Sequence, residues 1–261
     1  FSFLFKKEKM KQQFNNAINW IKIQDINGCI TGSCMLGYLE GQKQDIDVFT
    51  YDESAFTKLI YSMYHNPMFL LLDPMEKWKF KDWTENPYKG YIKKLGLVSI
   101  KFKYNTCIDV NVIFKEHRKS IFDVLCSFDM DIIAKGYDLK TKKILDLSEN
   151  RQGIATWNKW NNQFYNANIW SINNLLRQFQ RVIKYHNRGF NTDEVTLKYK
   201  EILLEMMEYE NIFNSTKVDE KIEIIKKNGE ILIQIFDKWL STHILSEQEN
   251  ELLELTIKEL R

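Results

Sequence analysis

No CxxC pair occurs in these 261 residues, and the four cysteines, Cys29, Cys34, Cys107 and Cys126, keep no metal-ligand spacing with the histidines at 65, 117, 186 and 243. That excludes a zinc or dithiol framework and leaves four reduced, mostly buried thiols. No apolar run is long enough to span a bilayer: the opening FSFLF is followed at once by KKEK, with no cleavage site. The expectation is a soluble, cytoplasmic protein with no membrane partner. The chain starts without Met, and nothing is inferred from its first residues. Proline and glycine are scarce, at three and ten residues, so no Gly/Pro-rich linker marks a domain boundary; repeats and low-complexity tracts are also missing. An excess of charge is missing too. The 37 basic residues nearly cancel the 35 acidic ones, so no overall field marks a generic polyanion binder, and any nucleic-acid contact must come from local patches.

What is present is a core: 44% hydrophobic and 14% aromatic residues suffice for one large domain or two small ones. Met10, Phe14, Ala17, Ile18 and Ile21 recur at helical spacing and predict a helix over 6–22. A strand over 26–31 runs into Gly32-Ser33, and after a short helix 45–49 alternates as a strand. A helix over 54–65 and a brief strand over 68–72 follow. The segments 97–104 and 107–114 alternate around Asn105-Thr106, a two-residue connection that predicts a hairpin. A helix near 118–126 and strands near 130–139 and 143–147 complete this half. Beyond 148 helical periodicity dominates, in segments near 168–187, 194–210, 218–240 and 246–260, with possible capping boxes at Thr216-x-x-Asp219 and Ser246-x-x-Glu249. The boundary is expected near 148, giving domains 1–147 and 148–261.

Side chains alternate across a strand, so Asp45 and Asp47 share one face while Ile46 and Val48 point to the core. Two carboxylates that close repel unless a cation sits between them. Hard oxygen donors suit Mg²⁺ or Mn²⁺. Asp109 stands beside Asn111 on the face opposite Ile108, Val110, Val112 and Phe114, well placed to be a third metal ligand. Gly32-Ser33 supplies a tight turn whose N–H groups and hydroxyl suit phosphate oxygens.

GSCMLGYLEGQKQDID resembles the nucleotidyltransferase motif of the DNA polymerase beta superfamily, a Gly-Ser turn about a dozen residues before an Asp-x-Asp strand, and CIDVNVI is similar to its third-Asp strand. The resemblance covers about 26–114 with motifs. It implies an α+β fold, a nucleotidyltransferase domain with a mixed β-sheet flanked by helices, followed by a C-terminal α-helical domain. It also implies Gly32 and Ser33 on the β- and γ-phosphates of an NTP (ATP among the candidates), Asp45 and Asp47 binding two metal ions, and Asp109 completing the site that activates the attacking hydroxyl. SFDMDIIAKGYD and RVIKYHNRGF resemble segments of nucleotidyltransferases from phages and large DNA viruses. The expected reaction moves NMP from an NTP to an acceptor hydroxyl, first of all an RNA 3′ end. The alternatives are a second-messenger synthase or a small-molecule or protein nucleotidyltransferase of the same fold, and an inactive nucleotide- or RNA-binding module.

Arg177, Arg181, Lys184 and Arg188 recur on one face of the 168–187 segment and suit a triphosphate or an RNA backbone; the bland reading is a solvated helix face. The resemblance tilts Arg177, Arg181 and Lys184 toward nucleotide binding. Lys93, Lys94, Lys101 and Lys103 flank the third-Asp strand and are favoured as edge-strand lysines that prevent aggregation. Trp157, Trp160, Phe164, Tyr165 and Trp170 either stack a base or, more often for such a cluster, pack an interface. His117 and His186 receive no catalytic role.

Overall fold

Alternation of apolar and polar residues builds a seven-stranded sheet among the described residues of the first half, ordered β3-β4-β5-β2-β1-β6-β7. The strands are β1 (Gly28–Thr31), β2 (Asp45–Thr50), β3 (Phe69–Leu71), β4 (Leu97–Tyr104), β5 (Ile108–Lys115), β6 (Lys135–Asp138) and β7 (Ile144–Asp146). The molecule is a computed structural model that describes residues 2–72, 97–148, 153–161, 169–208 and 216–259. Lys93, Lys94, Phe164 and Tyr165 lie outside the described residues, as do the side chains of Trp170, Thr216 and Asp219. The chain divides into two units, Phe1–Phe128 with Ile133–Ser148, and Asp129–Ile132 with Glu149–Arg261.

The sheet is mixed because β2 and β5 run parallel at its centre while the other pairs are antiparallel. A parallel pair needs a long crossover, and the chain between β2 and β5 carries helix α2 (Glu53–Tyr64) and the strands β3 and β4. One face of the sheet is covered by α2 and α1 (Ser2–Lys22). Phe14, Ala17 and Ile21 from α1 and Phe56, Leu59, Ile60 and Met63 from α2 pack on Ile46, Val48, Val110, Val112, Ile100 and Phe102. The opposite face carries a smaller cluster of Cys29, Phe49 and Val124, the last from α3 (Ile121–Leu125). Asp52 caps α2 by accepting from the Ala55 N–H at 2.7 Å, and Ser120 caps α3 by accepting from the Asp123 N–H at 3.2 Å.

Two expectations shift. The hairpin between β4 and β5 closes on Asn105 and Thr106, both at positive φ (46° and 60°), with the Cys107 N–H donating to the Tyr104 carbonyl at 3.1 Å. Cys107, expected inside the strand, stays out of the ladder, so Tyr104 pairs with Ile108 and Lys103 with Asp109. The expected strand 130–139 also breaks, into a 3-10 turn at Asp131–Ile133 and then β6. The reason is polar pairing. Asp131 donates its N–H to the Thr156 carbonyl at 3.0 Å and accepts the Thr156 N–H on its carboxylate at 2.8 Å, while the Asp129 carbonyl accepts from the Asn158 N–H at 2.8 Å. These bonds hold 129–132 in the second unit, so the chain passes between units before the boundary expected at 148.

The second unit's helices are α4 (Ile169–His186), α5 (Asp193–Glu208), α6 (Thr216–Thr242) and α7 (Glu247–Glu259). The apolar stripe of α4, Leu175, Leu176, Phe179 and Val182, is fully buried. Phe179 stacks on Phe236 of α6 with ring centroids 4.1 Å apart and meets Trp239 edge-on. Truncating such a ring to Ala costs about 3–5 kcal/mol. Ser246 and Glu249 cap α7 reciprocally, Glu249 N–H to Ser246 Oγ at 3.3 Å and Ser246 N–H to the Glu249 carboxylate at 2.6 Å. Among the described residues, no helix is long and apolar enough to cross a membrane.

Candidate active site

Strand alternation and register together assemble an acid face in the first unit. On β2, Ile46 and Val48 are buried and turn Asp45 and Asp47, both half-buried, to the other side. The parallel register sets Asp45 beside Asp109 and Asp47 beside Asn111 on β5. The antiparallel register of β4 adds Lys103 beside Asp109 and Lys101 beside Asn111. Three carboxylates, one carboxamide and two ammonium groups thus line adjacent positions of one face.

Their contacts distribute the charge. Asn111 Nδ2 donates to Asp45 Oδ2 at 3.1 Å and to Asp47 Oδ1 at 2.8 Å, holding the two carboxylates with one amide. Asp109 is flanked by Lys43 Nζ and Lys103 Nζ, each 3.4 Å from one of its oxygens. Its Oδ1 is buried and has no hydrogen-bond partner. Lys103 is not an edge-strand lysine: β3 pairs outside β4, with Leu70 opposite Lys103. The reading of Lys101 and Lys103 as aggregation guards therefore fails, because their strand is interior among the described residues.

β1 ends against this face. Thr31 pairs with Asp47, and the chain then turns through Gly32 at φ 82° into the 3-10 turn Gly32–Leu36. The backbone conformation favours glycine, and a Cβ there would stand 3.0 Å from Asp47 Oδ2 and press on that carboxylate. Ser33 is buried, 6% exposed. Gln44 holds the segment that follows: its amide donates to the carbonyls of Ser33 (3.1 Å) and Gly37 (2.8 Å), and its oxygen accepts from the Leu39 N–H (2.6 Å). Gln44 is 6% exposed and sits at the core parity of β2, a polar residue where an apolar one is the rule. That parity was the signal for a residue that sequence reasoning missed. Cys34 is no nucleophile, since burial pushes its thiol far up and the Asp47 charge adds to the shift.

The three aspartates share a face without closing into a metal cluster: among the described residues no group of three or more His, Cys, Asp or Glu side chains is arranged to hold an ion. The donor set nevertheless fits a hard divalent cation. It consists of carboxylate oxygens, one of them buried without a hydrogen-bond partner, and its charge is met by ammonium and amide groups that a cation can replace.

The basic residues of α4 belong to the second unit. Arg177, Arg181 and Lys184 are exposed, but the helix ends at His186, and Arg188 lies beyond it, its guanidinium 5.2 Å from the centre of the Tyr185 ring. Arg181 is engaged: Nη1 donates to Asp129 Oδ1 at 2.9 Å, and Asp129 is 1% exposed. Burial raises the Asp129 pKa, against the pull of Arg181. Trp157 forms an isolated bridge with Met130, and Trp160 is exposed.

No protein-family model matches the chain, and no curated protein does. Among solved structures it is similar to Thermotoga maritima CCA-adding enzyme complexed with tRNA, at 12% identity and a TM-score of 0.45, over 97% of this chain. The chain spans 65% of that enzyme's length.

Proposed function

We propose that this chain is a divalent-metal-dependent nucleotidyltransferase that moves NMP from an NTP to an acceptor hydroxyl, an RNA 3′ end, and releases pyrophosphate. The observation that carries the reading is the register that sets Asp45 beside Asp109 with Asp47 against Gly32. Asp45, Asp47 and Asp109 would hold Mg²⁺ or Mn²⁺. When bound, such an ion neutralises phosphate charge and makes the acceptor hydroxyl a better nucleophile. The Gly32-Ser33 turn, held by Gln44, offers N–H groups and a hydroxyl to the β- and γ-phosphates. Asp109 faces the acceptor hydroxyl and takes its proton on a carboxylate oxygen. The hydroxyl oxygen forms the new bond to the α-phosphorus, and the bond from that phosphorus to the bridging oxygen breaks. Positioning and charge supply the catalysis, with no covalent enzyme intermediate. Arg177, Arg181 and Lys184 are proposed as phosphate-binding residues, Arg181 through donors that Asp129 does not use.

The test is to incubate the protein with each labelled NTP, Mg²⁺ or Mn²⁺ and total RNA, and to follow the label. Label entering RNA 3′ ends, lost on chelation and reduced at least ~10²–10³-fold in Asp45→Asn, Asp47→Asn and Asp109→Asn, is the expected result. A folded Asp47→Asn protein with normal turnover refutes it. One observation favours a second reading, a non-catalytic nucleotide- or RNA-binding module: Asn111, Lys43 and Lys103 give each of the three carboxylates a protein partner. Metal-independent NTP or RNA binding with no label transferred would select it. Label on a nucleotide, a small molecule or a protein would select the remaining acceptors of this fold.

A further inference from the structure

In the second unit, the last turn of α4, the first turn of α5 and the end of α6 meet at two histidines. His186, the last residue of α4, and His243, which follows α6, lie face to face, with ring centroids 4.3 Å apart and planes inclined by 8°. Trp239 of α6 meets both rings edge-on, at 5.2 Å and 78° from His186 and at 5.6 Å and 86° from His243. Asp193, which opens α5, accepts the His243 Nε2–H on Oδ1 at 2.7 Å. His243 stands at φ 54° and its N–H donates to the Trp239 carbonyl at 2.8 Å, so α6 ends in a left-handed cap that sets this ring against α4. We propose that the stack is an acid-sensitive clasp, which joins α4 to α5 and α6 while His186 is neutral and opens when His186 takes up a proton. The clasp is independent of the transferase reading.

The arrangement suits one proton and not two. Parallel imidazoles this close stack while at most one is charged, and two imidazolium ions so placed repel. A charge on His243 is matched by the Asp193 carboxylate. His186 has no such group: its Nδ1 is buried without a hydrogen-bond partner, so a proton added there meets no acceptor. Burial first, and then His243, hold the His186 pKa below the ordinary 6.5, against the pull of Asp193. The charges of the flanking turns are engaged with other groups. Lys184 and Arg188 lie over the Tyr185 ring, Lys238 of α6 pairs with Glu249 of α7, and Lys200 of α5 pairs with Asp237 of α6. Because the folded pKa of His186 is lowered, the opened turn binds the proton more tightly than the closed one. The contribution of the clasp is therefore complete above pH 6.5 and is lost as pH falls through the folded value. One proton taken up on opening raises the opening constant by up to about tenfold per pH unit in that window.

Amide hydrogen exchange of the full chain, corrected for its intrinsic pH dependence, reads the opening, and NMR titration of the histidine ring protons reads the protonation. In the unaltered protein His186 is expected to titrate below 6.5. The amides of the last turn of α4, 183–186, should lose protection by up to about tenfold per pH unit as pH falls from 6.5 toward 5, while Val48 and Val110 in the sheet of the first unit keep theirs. His186→Phe leaves a flat ring against His243 and Trp239 and removes the proton, so its protection in this turn should not fall with acid. His243→Asn, a residue that tolerates positive φ, removes the like charge and should move the His186 pKa toward 6.5 and weaken the pH response. Asp129, bound to Arg181 on the same helix, has a raised pKa and therefore responds with the opposite sign, but it is present in every variant and cancels in the comparison. Equal pH responses in His186→Phe and the unaltered protein, a His186 titration at or above 6.5, or protection of 183–186 that does not change with pH in the unaltered protein overturns the inference. If His186→Phe does not fold, the titration of the unaltered protein and the shift in His243→Asn decide it, and a His186 pKa unmoved by that substitution refutes the coupling of the two rings.

Discussion

Arg181→Met tests how the second unit tolerates a buried acid. Asp129 is 1% exposed; Oδ1 accepts Arg181 at 2.9 Å, and Oδ2 is buried with no hydrogen-bond partner. Removing the guanidinium leaves a buried carboxylate with no countercharge on the oxygen it now pairs. Breaking a buried pair costs about 3–5 kcal/mol, and because the Arg181 side chain is 51% exposed, solvent screening reduces the expectation to about 2–3 kcal/mol. For a unit of this size that lowers the unfolding temperature by roughly 5–10 °C. The pH dependence follows from the direction of the Asp129 shift. Burial raises its folded pKa above the ordinary 3.8, so protonation favours the folded state; this contribution is complete below the unfolded value and is lost as pH rises through the folded one. Loss of Arg181 raises the folded pKa further, so the variant's deficit is larger at pH 8 and narrows toward pH 5. Thermal unfolding followed by circular dichroism at both pH values reads it, and Asp129→Asn/Arg181→Met should recover more than half of the loss as the coupling of the pair. A single variant that melts with wild type at pH 8, or whose deficit does not change with pH, refutes the account.

Ser33→Ala should weaken NTP binding about tenfold or less, as one neutral hydrogen bond predicts, while Gly32→Val should be worse, because its Cβ meets Asp47 at positive φ; titration calorimetry with NTP and Mn²⁺ compares them, and unchanged affinity in both removes the turn from the phosphate site. Asn111→Ala leaves Asp45 and Asp47 without their shared donor, so the metal-free protein should lose about 1–2 kcal/mol of stability, and Mn²⁺ should raise its melting temperature more than that of wild type; equal Mn²⁺ shifts refute the bridging role. Arg177→Ala and Lys184→Ala, if these residues follow an RNA backbone, should each flatten the log–log salt dependence of RNA binding by about 0.7–0.9; a slope unchanged together with unchanged NTP affinity makes the α4 face a solvated one.

The sequence by itself determined the local geometry of this protein. Period-two alternation put Asp45 and Asp47 on one face of a strand and Asp109 on the polar face of another, and the 3.6-residue period of Leu175, Leu176, Phe179 and Val182 placed the buried side of α4. Such periodicities follow from which side of an element must leave water, and neighbouring residues encode that. Only the tertiary structure decided which strands meet. That Asp45 stands beside Asp109, and Asn111 beside Asp47, depends on a parallel pairing across a long crossover, set by the packing of α1 and α2 on the whole sheet. Cys107 looked like a strand residue because apolar and polar residues alternate through it. The positive φ of Asn105 and Thr106 left it out of the ladder and brought Lys103 opposite Asp109. Gln44 was marked in the sequence only by its core parity, and Asp129 by nothing, for a related reason: a buried polar group is explained by its partners, here the carbonyls of Ser33 and Gly37 and the guanidinium of Arg181, and folding alone brings those partners within hydrogen-bond distance.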